Sequence, residues 1–204
     1  MSGLREQKKL ETRTALWRAA MTLFEERGYD AVSIAEIAAA ATVSKMTVFN
    51  YYPTKEDLVF APMEDHIDEF ADVVRDRPAG TGAITALRAH FLARLAEFDP
   101  STGLNDSPFI VAAQQLIVNT PALLPRLRAF VFRSEDTLTE ALAKDTDPLT
   151  GRLAAAQIMA VRAVLMFDNH ARIQAEGRAT AALPGALAAA NRAFDLLEQG
   201  LDGI

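Results

Sequence analysis

The sequence predicts an all-α protein in two parts: a three-helix head over residues 1–53 and a larger helical body over 54–204. Three observations carry that prediction. Leucine, alanine, glutamate and arginine dominate, β-branched runs are scarce, and no apolar/polar alternation of strand length occurs. Break signals recur at Pro78 to Gly80, Asp99-Pro100, Asn119 to Pro121, Asp147-Pro148 and Pro184-Gly185. Charge is also uneven. Residues 1–60 hold eight Lys/Arg and eight Asp/Glu, whereas 61–204 hold thirteen and nineteen and so supply the whole net charge of −6. A near-neutral head and an acidic body imply two separate jobs.

Each element has its own local reason. The first helix is expected over 6–27, where Leu16, Ala19, Ala20, Leu23 and Phe24 share one face, and Gly28 suits a left-handed C-terminal cap. A second opens at Ser33, whose side chain and that of Glu36 form a capping box, with Val32 stapled onto Ile37. It ends near Ala41. A third, short helix starts at Ser44 and stops before Pro53, because a residue preceding proline avoids the α region. Thr54 caps a fourth over 54–76, kinked at Pro62, with Glu56 and Asp57 at its positive end. Further helices are expected over 81–98, 107–119, 121–145, 148–176 and 182–201. Leu153 to Phe167 is apolar nearly all round and is expected to be buried on two sides.

Composition narrows the classes. The 204 residues contain no cysteine, so neither a disulfide framework nor a thiolate metal site is available, which fits a reducing compartment. The charged start, MSGLREQKKLETRTALW, lacks an apolar core and is not a signal peptide. Gln157 and Arg162 interrupt the most apolar stretch, so no bilayer span is expected. A cytoplasmic protein away from membranes is the expectation.

Two short helices joined by the turn Ala41-Thr42-Val43, the second polar and lysine-bearing, describe a helix-turn-helix. Ala38, Val43 and Val48 are the expected buried contacts. The exposed face of the second helix offers Lys45, Met46, Thr47 and Asn50 to base edges: lysine to guanine, asparagine to adenine, threonine and methionine to a thymine methyl. Tyr51 and Lys55 are placed for phosphates, with Arg5, Lys8, Lys9 and Arg13 as further basic candidates. Phe49 and Tyr52 are expected to pack beneath the helix. Thr12 to Leu58, containing ALWRAAMTLFEERGYDAVSIAEIAAAATVSKMTVFNYYPTKEDL, resembles the DNA-binding domain of the TetR (tetracycline repressor) family of bacterial regulators. The resemblance covers about a quarter of the chain. Many members carry glycine where Thr42 and Met46 stand and tyrosine where Phe49 stands. Thr42 therefore implies a turn open to residues other than glycine.

In that family the body binds a small ligand and dimerises through the last two long helices, for which 153–167 and 183–201 are the candidates here. The resemblance thus implies double-stranded operator DNA, an unidentified small molecule and a second copy of the chain as partners. An apolar pocket would be lined by Phe91, Leu95, Phe109, Leu116, Phe130, Met166 and His170, among other rings and methionines of the body. Arg162, a charge in the most apolar helix, is expected to form a salt bridge across the subunit interface. Catalysis has no support. His66, His90 and His170 are far apart in sequence, none lies three residues after a glutamate, and no phosphate loop or nucleophile elbow occurs. No metal and no cofactor are expected. A dimeric, ligand-released repressor is the leading reading. The alternative is a DNA-binding protein of the same fold that takes no ligand and acts structurally or through a protein partner.

Overall fold

The computed structural model describes residues 2–199, and of Ser2, Leu4 and Arg5 the backbone only, so the Arg5 expectation lies outside the described residues. Among those residues there are ten α-helices and no strand. They are α1 Ser2–Arg27, α2 Ile34–Ala40, α3 Lys45–Tyr51, α4 Lys55–Glu64, α5 Glu69–Arg75, α6 Ala83–Ala96, α7 Pro108–Asn119, α8 Leu124–Leu142, α9 Pro148–Glu176 and α10 Ala179–Gln199. Short 3-10 turns occupy Pro100–Thr102 and Pro121–Leu123.

The expected fourth helix over 54–76 is two helices. Pro62 removes the N–H that would bond the Leu58 carbonyl and crowds that carbonyl. α4 runs only to Glu64 before residues 65–68 break the path to α5. The last helix begins at Ala179, before the expected 182, and its expected end at 200–201 lies outside the described residues.

The chain forms two compact units. The first comprises the residues up to Glu64 with Ala112–Arg128, the second Asp65–Val111 with the residues from Ala129 on. In the first, α1 packs on α2 and α4, and α2 on α3, around Leu16, Phe24, Ile37, Val48, Leu58 and Phe60. Arg126 braces α4 within this unit: its Nε donates to Asp57 at 2.9 Å and its Nη2 to Glu64. Asp57 stands in the first turn of α4 and Glu64 is its last residue.

In the second unit α10 packs along α9 and against α6, and α5 against α6. The core holds Phe70, Leu87, Phe91, Leu95, Leu138, Ile158 and Phe194, with small Ala182, Ala186 and Ala190 letting α10 approach closely. Gly103 (φ +78°) follows the 3-10 turn at Pro100–Thr102, and a Cβ there would lie 2.2 Å from the Met166 carbonyl of α9. Beside it the wholly buried Asn169 donates to the Thr102 carbonyl at 2.9 Å.

α9 bears on two expectations. By length and composition it is apolar enough to cross a membrane. Within the chain it is buried on one side only, because Leu149, Leu153, Val164 and Phe167 stand exposed.

Candidate nucleic-acid interface

The helix-turn-helix is built from consecutive local signals. Ser33 accepts from the Glu36 amide and donates its own amide to the Glu36 carboxylate, closing the predicted capping box. That carboxylate is lowered to about 2, by bonds from the Ser33 amide and hydroxyl first and the Arg27 guanidinium after them. α2 ends in a Schellman motif: Val43 N–H bonds the Ala38 carbonyl at 2.9 Å and Thr42 N–H bonds Ala39 at 3.1 Å. Such a motif places one residue in the left-handed region, and here it is Thr42, with φ +56°. The turn is therefore not one that a non-glycine residue adopts freely; a β-branched threonine is strained there.

Ser44 caps α3 by accepting from Thr47 N–H at 3.0 Å, and the two hydroxyls lie 2.8 Å apart. Thr47 is thus half-buried with its hydroxyl engaged. Val48 and Ala38 are buried as expected, and Val43 is half-buried. Tyr52 is buried, whereas Phe49 is 40 % exposed, so the expected packing of Phe49 beneath the helix is not found. Its ring instead lies 5.7 Å from the Lys45 ammonium, one turn back on the same face. Lys45 and Asn50 are exposed, Met46 is 67 % exposed, and Tyr51 is half-buried beside Tyr52.

Lys55 has a second occupation that the sequence did not suggest. Its ammonium donates to the carbonyls of Tyr29 (2.8 Å) and Val32 (3.1 Å) and sits 4.0 Å from the Tyr29 ring centre. Tyr29 in turn donates its hydroxyl to Glu56 at 2.8 Å. Burial first, and then that bond, push the Tyr29 phenol above its ordinary range. Two of the three Lys55 ammonium N–H groups are thus engaged in fastening the α1–α2 loop to α4.

Residues 16–61 match the family model for bacterial regulatory proteins of the tetR family. Over 171 residues the chain is 30 % identical to the HTH-type transcriptional regulator TcmR of Streptomyces glaucescens, covering 83 % of this chain and 68 % of that one. The chain belongs to the TetR family. Solved structures share the fold. Native NalD, the secondary repressor of the MexAB-OprM multidrug efflux pump in Pseudomonas aeruginosa, superposes with a TM-score of 0.60 at 18 % identity, over 90 % of this chain and 96 % of that one. A SmeT–triclosan complex superposes with a TM-score of 0.60 at 19 % identity, over 95 % and 93 %. As a TetR-family protein the chain is a DNA-binding transcriptional regulator and not an enzyme.

The body of this TetR-family chain distributes the seven expected pocket residues unevenly. Phe91 and Leu95 are consumed by the core of the second unit, where Phe91 packs on Phe194 with ring centres 6.0 Å apart. Phe130 is buried; Phe109, Met166 and His170 are half-buried. Leu116, also half-buried, belongs to the first unit.

An open cleft of about 520 Å³ in the second unit is lined instead by polar groups, among them Asp68, Glu69, Asp72, His90 and Arg94. Histidines distant in sequence converge there: Glu69 pairs with His66 Nδ1 at 3.2 Å and His90 Nε2 at 2.7 Å. Burial acts to raise the Glu69 carboxyl, yet those bonds and the Arg162 charge outweigh it and hold the group well below the usual range. The bond to Glu69 keeps His66 above its ordinary value. Arg162 lies 4.9 Å from the Phe70 ring in the field of Glu69 and Asp99. Glu69 and Asp99 thus give it an acidic environment within the chain. The spacing of His66 and Glu69 was a usable signal in the sequence; the return of His90 from α6 was not.

Proposed function

We propose that the protein is a dimeric, ligand-responsive repressor that binds a palindromic operator and releases it on binding a small apolar molecule in the cytoplasm. The head, residues 1–53, binds DNA, and the body, 54–204, takes the ligand and dimerises. The carrying observation is the capped helix α3, which leaves Lys45 and Asn50 exposed at the end of a rigid turn. Lys45 and Asn50 read bases with Met46. Tyr51 and the remaining N–H of Lys55 hold phosphates, and Thr47 sets the start of the helix. The exposed apolar residues Leu149, Leu153, Val164 and Phe167 of α9, with Leu196 of α10, suit a two-fold interface with a second copy. Ligand shifts the population toward a dimer whose recognition helices no longer match grooves about 34–36 Å apart. The repressor role of NalD and the triclosan bound to SmeT support this reading.

The test is a salt-dependent gel shift on the DNA upstream of the chain's own gene. Wild type is expected to bind with affinity falling steeply with salt, and Lys45→Ala with Asn50→Ala to lose binding. Equal binding by that double variant would overturn the assignment. The complete burial of Leu95 and near-complete burial of Phe91 favour a second reading, in which the body takes no ligand. A screen of apolar compounds in which none weakens the DNA complex would support it.

A further inference from the structure

Four side chains of α3 stand in solvent: Lys45, Met46, Phe49 and Asn50. At about 100° per residue they follow one another around the helix as Lys45, Phe49, Met46, Asn50, over an arc of roughly 140°. Half-buried Thr47 and Tyr51 follow beyond Asn50, and buried Val48 closes the circle back to Lys45. The centre of the exposed face is therefore apolar and its two edges are polar. Neither apolar residue serves the head's core, since Met46 is 67 % exposed and Phe49 40 %. Charge indicates what meets this face. The chain is acidic overall, yet no acidic residue occurs between Glu36 and Glu56, a stretch that carries Lys45 and Lys55. That is a surface for a polyanion.

We propose that Met46 and Phe49 together read thymine C5-methyl groups in the major groove, between bases contacted by Lys45 on one side and Asn50 on the other. This deepens the DNA-binding reading above and rests on it. The methyl is the one apolar group that projects from a base edge into the major groove, so it is the feature an apolar pair matches. The two residues divide the work by stiffness. Phe49 presents a ring with few rotamers, while Met46 adapts to a neighbouring methyl. Phe49 has no hydroxyl with which to reach a phosphate. Its ring also lies under the Lys45 ammonium, 5.7 Å from the ring centre, which holds that donor beside the apolar pair. The expected half-site accordingly places thymine next to the guanine that Lys45 contacts.

The full-length chain is used to select duplexes from a random-sequence pool. Each thymine of the enriched half-site is then replaced by deoxyuracil, which removes only the methyl. Wild type is expected to lose about fourfold in affinity per contacted methyl, the value of burying one such group. Met46→Ala, Phe49→Ala and their combination are expected to bring the thymine-to-uracil ratio toward one. Lys45→Ala is expected to weaken both duplexes while leaving a preference for thymine. A wild-type ratio of one at every position, an enriched site without thymine, or a ratio unchanged in the double variant would each overturn the proposal while leaving DNA binding intact. Failure to enrich any sequence would overturn the DNA-binding reading as well. The uracil comparison uses wild-type protein, so it does not depend on any variant folding.

Discussion

Thr42→Gly is expected to stabilise the head by about 1 kcal/mol, a figure that follows from the turn itself. An L-residue in the left-handed region costs roughly 1–2 kcal/mol, and a branched β-carbon puts threonine toward the upper end. Thr42 holds φ +56° and its side chain is exposed, so removing it relieves the backbone without opening a cavity. Against this, glycine loosens the unfolded chain by about 0.4–1 kcal/mol. The net for a chain of this size corresponds to a rise in melting temperature of roughly 2–4 °C. The single tryptophan, Trp17 in α1, makes the head separately visible. Urea unfolding followed by its fluorescence should show a higher midpoint with an unchanged slope. Thr42→Ala is the control: it removes the branch but keeps Cβ, and should recover only a minor part. A Gly variant no more stable than wild type, or an Ala variant equally stabilised, would refute the strain argument.

The cluster around Glu69 gives a pH signature. His66 is held above its ordinary 6.5, so its pairing contributes fully below that value and is lost as pH rises through the raised one. Glu69 is held below its ordinary 4.5, so its contribution is present above that value and is lost on acidification. Wild type should therefore exceed Glu69→Gln in stability most clearly between about pH 4.5 and 6.5, by roughly 3 kcal/mol. A difference that is flat across pH, in denaturation series on both proteins, would count against the pairing. Gly103→Ala should cost about 3 kcal/mol or more, because its Cβ would strike the Met166 carbonyl and its φ is positive. A loss under 1 kcal/mol by urea unfolding would show that the turn yields. Val164→Asp is expected to convert the proposed dimer to monomer in analytical ultracentrifugation, since it places a charge in the exposed apolar stripe of α9. An unaltered dimer would move the interface elsewhere.

Local signals made the head legible. The Ser33 capping box, the helix start at Ser44, the stop before Pro53 and the helical break at Gly28 each depend on neighbours within a few residues, and each is found in place to within a residue. Phe49 was misread for a physical reason: an aromatic residue on a short helix ordinarily packs, and nothing in the sequence states on which side of the bundle position 49 falls. The split between α4 and α5 was half legible, since Pro62 marked a disturbance but not whether it would bend the helix or end it. The Glu69 cluster was the least accessible. It joins α5 to α6 and to Arg162 of α9, and such convergence is set by how helices pack, which a periodic pattern does not encode.

Arg126 has a mechanical consequence for this head. One guanidinium holds carboxylates at the two ends of α4, which are seven residues and about 10 Å of helix apart. The Asp57 and Glu64 side chains reach in to meet separate nitrogens of one planar fork, a division of donors that a lysine's point charge does not offer. The helix weakened at Pro62 is thereby splinted from outside its own sequence. A run of polar contacts within the first unit therefore links Arg126, at the start of α8, to α4 and, through Lys55 and Glu56 with Tyr29, to the loop that leads into α2.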